Sequence, residues 1–92
     1  MNAKAKGTRL EHRSRALLEA AGYRVIRAAG SLGEFDLVGI GRTDFVLVQV
    51  KCREFPGPLE RTALAESICP PNTRKLLHRW RPRQRQPDVM EL

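Results

Sequence analysis

The chain predicts an α/β domain, helices packed on a sheet, and three observations predict it. Leu10, Ser14, Leu17, Leu18 and Ala21 recur at helical spacing. Tyr23-Arg24-Val25-Ile26-Arg27-Ala28 reads as a strand. Leu37-Val38 and Phe45-Val46-Leu47-Val48 are β-branched and aromatic enough to pair, and Gly39 to Asp44 between them supplies a glycine-containing polar turn. With 92 residues the chain makes one domain, 1–92, whose single small core gains from a partner subunit.

The elements follow in order. Residues 1–7 carry Lys4 and Lys6 with little apolar content and read as a frayed basic arm. Thr8 is placed to cap a helix over about 9 to 21, and Gly22 stands where a left-handed C-terminal cap is expected. After the strand at 23–28, the loop Ala29-Gly30-Ser31-Leu32-Gly33-Glu34 delivers the chain to Asp36 and the hairpin. Pro56, Gly57 and Pro58 end the hairpin's second strand, Leu59 to Ile68 reads as a helix, and Pro70-Pro71 interrupts it. Asn72 or Thr73 then caps a further helix through Arg74, Lys75, Leu76, Leu77, His78 and Trp80, stopping near Pro82, with Trp80 as its core anchor. Arg81 to Pro87 reads as an extended basic linker and Asp88 to Leu92 as a last edge strand.

Counting outward from the turn, Ile40 faces Phe45, Val38 faces Leu47, and Asp36 faces Gln49. Opposed side chains on one face lie roughly 5 Å apart, a span a divalent cation can bridge. Lys51 falls on the face of Gln49, and Val46, Val48 and Val50 point the other way, into a core. An acid, an amide oxygen and a lysine therefore meet where one face of the strand Phe45–Lys51 turns from apolar to polar. Phosphodiester cleavage needs charge stabilisation on the phosphate, an activated water and a proton for the leaving oxygen. Asp36 is the anchoring ligand in that scheme, with the Gln49 side-chain oxygen and the Val50 carbonyl beside it and Lys51 steadying the phosphate. Hard oxygen donors of this kind suit Mg²⁺ or Mn²⁺ and not zinc. Glu11 has two readings: with Thr8 it forms a Thr-x-x-Glu capping box, and beside the apolar stripe it is a second metal-side acid.

Seventeen Lys plus Arg against ten Asp plus Glu give a net charge of +7 and a pI near 10.5, which favours a polyanionic partner. Arginine supplies 13 of the 17, and its planar fork suits phosphate oxygens. Residues 72–92 carry +4 of that charge, and Arg79, Arg81, Arg83 and Arg85, at alternate positions, would face successive phosphates from one side of an extended chain. No apolar run approaches the roughly 20 residues of a membrane span and no signal-peptide pattern opens the chain, so the expectation is a soluble cytoplasmic, nucleoid-associated protein, with a phage gene as one origin. Cys52 and Cys69 lack metal-ligand spacing and read as reduced thiols, and His12 and His78 as isolated, solvated or phosphate-facing side chains.

Lys6-Gly7, Glu11, Gly22-Tyr23, Arg27-Ala28-Ala29-Gly30-Ser31, Asp36-Leu37-Val38 and Val48-Gln49-Val50-Lys51 follow one another in the order and spacing of archaeal Holliday junction resolvases. The chain resembles that family, one of the PD-(D/E)xK, restriction-endonuclease-like nucleases, over roughly residues 6 to 53. The resemblance implies a restriction-endonuclease-like core, a mixed sheet flanked by helices and shortened after Arg53, with residues 8–55 as catalytic core and 72–92 as a basic segment. It implies Glu11, Asp36 and Gln49 as the metal-binding set, Lys51 as the catalytic lysine, and Ser31 as a loop residue touching the scissile phosphate. The family carries glutamate where this chain has Gln49, so metal affinity is expected to fall.

The function expected is Mg²⁺- or Mn²⁺-dependent cleavage of Holliday junctions or other branched double-stranded DNA by a homodimer, without a membrane partner or a small-molecule cofactor. Arg9, Arg13 and Arg53 join the four C-terminal arginines as candidate DNA contacts. The alternative is a catalytically impaired nuclease-like DNA-binding protein in which Gln49 marks a lost reaction, and a small RNA-binding regulator is a third reading.

Overall fold

The computed structural model describes residues 3–28 and 34–92. Its elements are α1 (Ala3–Ala20), β1 (Arg24–Arg27), β2 (Leu37–Ile40), β3 (Phe45–Cys52), α2 (Pro58–Glu66), β4 (Thr73–Trp80) and β5 (Asp88–Glu91). The hairpin forms in the expected register, with Ile40 opposite Phe45, Val38 opposite Leu47 and Leu37 opposite Val48. Gly39 is required there, because a Cβ at that position would lie 2.5 Å from Val46 Cγ1 and 3.3 Å from Tyr23 Cβ. Tyr23 closes the same corner by donating its phenol to Asp44 Oδ2 at 2.7 Å.

The five strands form one sheet in the order β1-β2-β3-β4-β5, antiparallel except for the β3–β4 pair. A parallel pair needs a crossover connection, and α2 provides it. The helices cover opposite faces. Leu18 of α1 packs with Val25, Leu37, Val46, Val48 and Leu76, while Leu64 of α2 packs with Phe35 and Leu77. Adjacent residues of one strand thus feed two cores, as the alternation of side chains requires.

Helix α1 begins at Ala3, so the basic arm expected at 1–7 is helical from Ala3 on. Thr8 consequently lies inside the helix, where no orphan amide is left to cap. Thr8 and Glu11 instead both receive Arg27 of β1, at 3.3 Å and 2.7 Å, which replaces the capping-box reading with an ion pair between helix and sheet. The other end is as expected: Gly22 takes φ of 100°, and the Tyr23 amide returns to the Leu18 carbonyl at 3.1 Å.

A second correction concerns residues 73–80, expected as a helix and found as the strand β4. Four consecutive residues, Lys75, Leu76, Leu77 and His78, are buried. A helix with one apolar face cannot bury four in a row, whereas a strand covered on both faces can. The chain between Pro70 and Leu92 is therefore two strands, β4 and β5, and not a shortened remnant at 88–92 alone. Lys75 is tolerated inside because its ammonium donates to the carbonyls of Ala65 and Ser67 at the C-terminal end of α2, at 2.8 and 2.7 Å.

His78 is likewise not solvated; it is 4% exposed and lies under α1. Trp80 Nε1 donates to Ser14 Oγ at 2.8 Å, and His78 Nδ1 stands 2.9 Å from the same oxygen. An indole N–H can only donate, so Ser14 Oγ accepts from Trp80 while it shares a second hydrogen bond with His78 Nδ1. Burial lowers the His78 pKa from 6.5 to about 4. In the unfolded chain the ring takes up a proton near pH 6.5 while the folded one stays neutral down to about pH 4, so the unfolded state binds more protons in that window and stability is lost as the pH drops through it. Denaturant titrations are expected to show a loss of roughly 1 kcal/mol per pH unit between pH 6 and 4.5. His78→Gln should flatten that slope, and an equally steep slope in the variant would assign it to other groups.

Candidate active site

β3 has eight residues and β2 only four, so Gln49–Cys52 run on beyond the last β2–β3 pair while remaining paired to β4. The sheet opens at this point. The Asp36 amide still reaches the Val48 carbonyl at 2.9 Å, and the Asp36 carboxylate takes the next free donor, the Val50 amide, with Oδ2 at 2.7 Å. Asp36 thereby terminates the ladder with a side chain. In a strand the N–H and C=O of one residue point to the same side, so the Val50 carbonyl opens toward Asp36 as well.

Burial raises the Asp36 pKa, and the Val50 amide opposes that shift. Glu11 raises it further, while Lys51 and Arg27 lower it. All three therefore lie close enough for their charges to be felt at this carboxylate. Glu11 itself is largely covered and held by Arg27 at 2.7 Å.

Gln49 is 6% exposed. Its Nε2 donates to the Glu34 carbonyl at 3.2 Å and to Glu60 Oε1 at 3.3 Å, while its buried Oε1 has no hydrogen-bond partner among the described residues. Both Nε2 partners are acceptors, so the opposite amide orientation would set oxygen against oxygen twice. A buried acceptor without a donor is the kind of atom a cation satisfies. Among the described residues no three His, Cys, Asp or Glu side chains stand together as a metal cluster. What the site offers is a mixed oxygen set: the Asp36 carboxylate, the Gln49 amide oxygen, the Val50 carbonyl and Glu11 nearby. That donor chemistry fits a hard divalent ion.

Lys51 projects beside this set with its ammonium 3.7 Å from Glu60 Oε1. Glu60, in the first turn of α2, is the acid that sequence reasoning missed. No periodicity ties it to Gln49 or Lys51, and only the crossover of α2 brings it to the end of β3. Ser31 lies outside the described residues.

The candidate DNA contacts divide into two groups. Arg9, Arg53, Arg83 and Arg85 are exposed, and Arg53 and Arg83 adopt positive φ of 73° and 66°. Arg13 is exposed but already engaged by the protein: its guanidinium lies 4.1 Å from the centre of the Trp80 ring and donates to the Gln84 carbonyl at 2.8 Å. Arg79 is held by Asp88 at 2.7 Å over the Phe55 ring, and Arg81 by Asp88 at 3.2 Å. Arg79 belongs to β4 and the other three to its turn into β5, so the extended row of four is not formed. Asp88, which the sequence counts only as a minor acid in a basic stretch, folds the segment back.

An apolar cavity of about 480 Å³ lies between the strands and the 67–70 segment, lined by Phe35, Val38, Phe45, Leu47, Ile68 and Cys69 among others. It carries none of the side chains Asp36, Gln49 and Lys51 at the open end of β3. Among the described residues no helix is long and apolar enough to cross a membrane, and both cysteines are free thiols.

No protein-family model matches the chain, and no curated protein sequence matches it. Among solved structures the fold matches the 1.6 Å structure of Hjc, a Holliday junction resolvase from the archaeal hyperthermophile Archaeoglobus fulgidus. The TM-score is 0.73 at 21% identity, over 90% of this chain and 73% of that one. At this identity the likeness establishes the fold. The chain shares the restriction-endonuclease-like α/β fold of that structure, with a mixed five-stranded sheet and two helices among the described residues.

Proposed function

We propose that this protein is a divalent-metal-dependent endonuclease that cleaves branched DNA, of the Holliday junction resolvase kind. The observation that supports the proposal is the Asp36 carboxylate on the Val50 amide where β3 outruns β2, with Gln49 and Lys51 on either side of Val50 in the strand. Asp36, the Gln49 amide oxygen, the Val50 carbonyl and Glu11 would hold Mg²⁺ or Mn²⁺. The ion supplies charge neutralisation at the phosphate and a more acidic water. Lys51 places its ammonium against the phosphate oxygens, where charge grows in the transition state. Arg27 keeps the Glu11 carboxylate turned toward the sheet.

DNA enters by charge. Arg9, Arg53, Arg83 and Arg85 contact backbone phosphates, and the protein reads shape more than sequence. Replacing Arg83 and Arg85 with Gln should lower the salt dependence of junction binding by about two units of slope, one per phosphate contact. The same change at Arg79 and Arg81 should lower it less, since Asp88 already occupies them. Equal effects from the two pairs, read by fluorescence anisotropy at several salt concentrations, would contradict this division. The working unit is a homodimer, which presents two sites to two strands of a four-way junction. The exposed Leu59 and Ile68 offer apolar surface for such an assembly.

One observation favours a second reading, a DNA-binding protein that no longer cuts: the described acids form no three-membered metal cluster, and the amide at 49 lacks a charge. Incubation with a four-way junction and Mg²⁺ or Mn²⁺ separates the readings. Nicking supports the endonuclease, and binding without nicking at any metal concentration supports the alternative.

A further inference from the structure

Position 49 carries an amide and no charge, and a carboxylate from α2 accepts a hydrogen bond from it. The Gln49 amide spans the gap between Asp36's neighbour Val50 and the start of α2, giving its Nε2 to Glu60 and leaving its buried Oε1 without a donor among the described residues. The amide oxygen and nitrogen share one carbon, so the Glu60 carboxylate stands at the amide that carries the unsatisfied oxygen. The Lys51 ammonium lies 3.7 Å from the same Glu60 oxygen. Three side chains from β3 and α2 thus converge beyond the end of β2.

We propose that Glu60 is the second acid of the cation site, supplying from α2 the carboxylate that β3 lacks at position 49. This rests on the metal-dependent nuclease reading above and names the residue that completes its donor set. Glu60 is suited to the role because its side chain is 48% exposed and turns on three rotatable bonds without disturbing a core. Its partners hold it weakly. A half-exposed ion pair at 3.7 Å is weak, so a cation can displace the ammonium. The exchange has a second consequence: once Glu60 turns to a cation, the Lys51 ammonium is released to the phosphate. The Gln49 amide then acts as a positioning group, its oxygen toward the cation and its NH₂ toward Glu60.

The test is Mn²⁺ binding without DNA, measured by calorimetry and by the loss of the free-ion paramagnetic resonance signal, on the full chain and its variants. Glu60→Gln is expected to weaken Mn²⁺ binding by roughly tenfold or more. Glu66→Gln, an exposed acid at the far end of α2, should leave it unchanged. Combining Gln49→Glu with Glu60→Gln should restore binding, because the charge returns to the same space from β3. Binding unchanged in Glu60→Gln but lost in Asp36→Asn would overturn the role of Glu60 and leave the nuclease reading intact. Absence of Asp36-dependent Mn²⁺ binding in the unmodified protein would overturn both. Binding that depends on Asp36 and Glu60 in a protein that never cuts DNA would uphold Glu60 as a ligand and overturn the nuclease reading instead.

Discussion

Asp36→Asn and Lys51→Ala are each expected to reduce metal-dependent junction cleavage by roughly a thousandfold while leaving junction affinity within a few-fold of the unmodified protein. The two substitutions act differently. Asparagine keeps an oxygen for the Val50 amide, so the end of the β2–β3 ladder survives, but it removes the charge that anchors a cation. Alanine at 51 removes an ammonium from a side chain that contributes little to either core, so the fold is undisturbed. The loss should fall on kcat in Lys51→Ala, because the phosphate charge it opposes grows only in the transition state. In Asp36→Asn part of the loss should be recoverable at high metal concentration. Gln49→Glu should keep or raise activity, since it adds a charge beside the same donors. Normal cutting rates in both knockouts would place the chemistry elsewhere.

Ser14→Ala is expected to cost about 2–4 kcal/mol of folding stability, a large share of what a 92-residue domain possesses. Ser14 is fully buried, and its single oxygen serves both Trp80 and His78. Its removal leaves an indole N–H and an imidazole nitrogen buried without partners, each worth about 1–3 kcal/mol. The shape change is small, so the effect isolates hydrogen bonding from packing. Ser14→Val adds bulk without restoring either bond and should be at least as harmful. Urea unfolding followed by Trp80 fluorescence measures both variants. A change under 0.5 kcal/mol, on the order of a surface substitution, would mean that Trp80 and His78 are satisfied by other means.

The parts of this structure legible in the sequence are those governed by local rules. The hairpin register follows from a glycine-containing turn and alternating side chains, and Gly22 from the end of an amphipathic stretch. The encounter of Asp36 with the Gln49-Val50-Lys51 segment follows from that register, since it spans only 15 positions. Legibility ends where partners are distant in sequence. β4 conceals its strand character because α1 and α2 cover both faces, so Leu76 and Leu77 are buried side by side and mimic a helical stripe. His78 looks like a solvated residue until Ser14, more than 60 positions away, receives it, and the same serine satisfies the indole of Trp80, legible only as an apolar anchor. Thr8 and Glu11 imitate a cap because Arg27, their true partner, arrives from another element. Arg79 and Arg81 read as free cations because only the β4–β5 pairing brings Asp88 to them. Glu60 carries no sequence signal at all, since only the α2 crossover relates it to β3.

The open end of β3 is the centre of this account, and one comparison tests it most directly: cleavage of an immobile four-way junction, a flap and a linear duplex of equal length, with Mg²⁺ or Mn²⁺ and with chelator, by the protein and its Asp36→Asn variant. Metal-dependent cutting of the branched substrates is expected, with little on the duplex and a roughly thousandfold slower reaction by the variant at the same metal concentration. Tight junction binding with no product from the unmodified protein under any metal condition, or equal product from the variant, would contradict it.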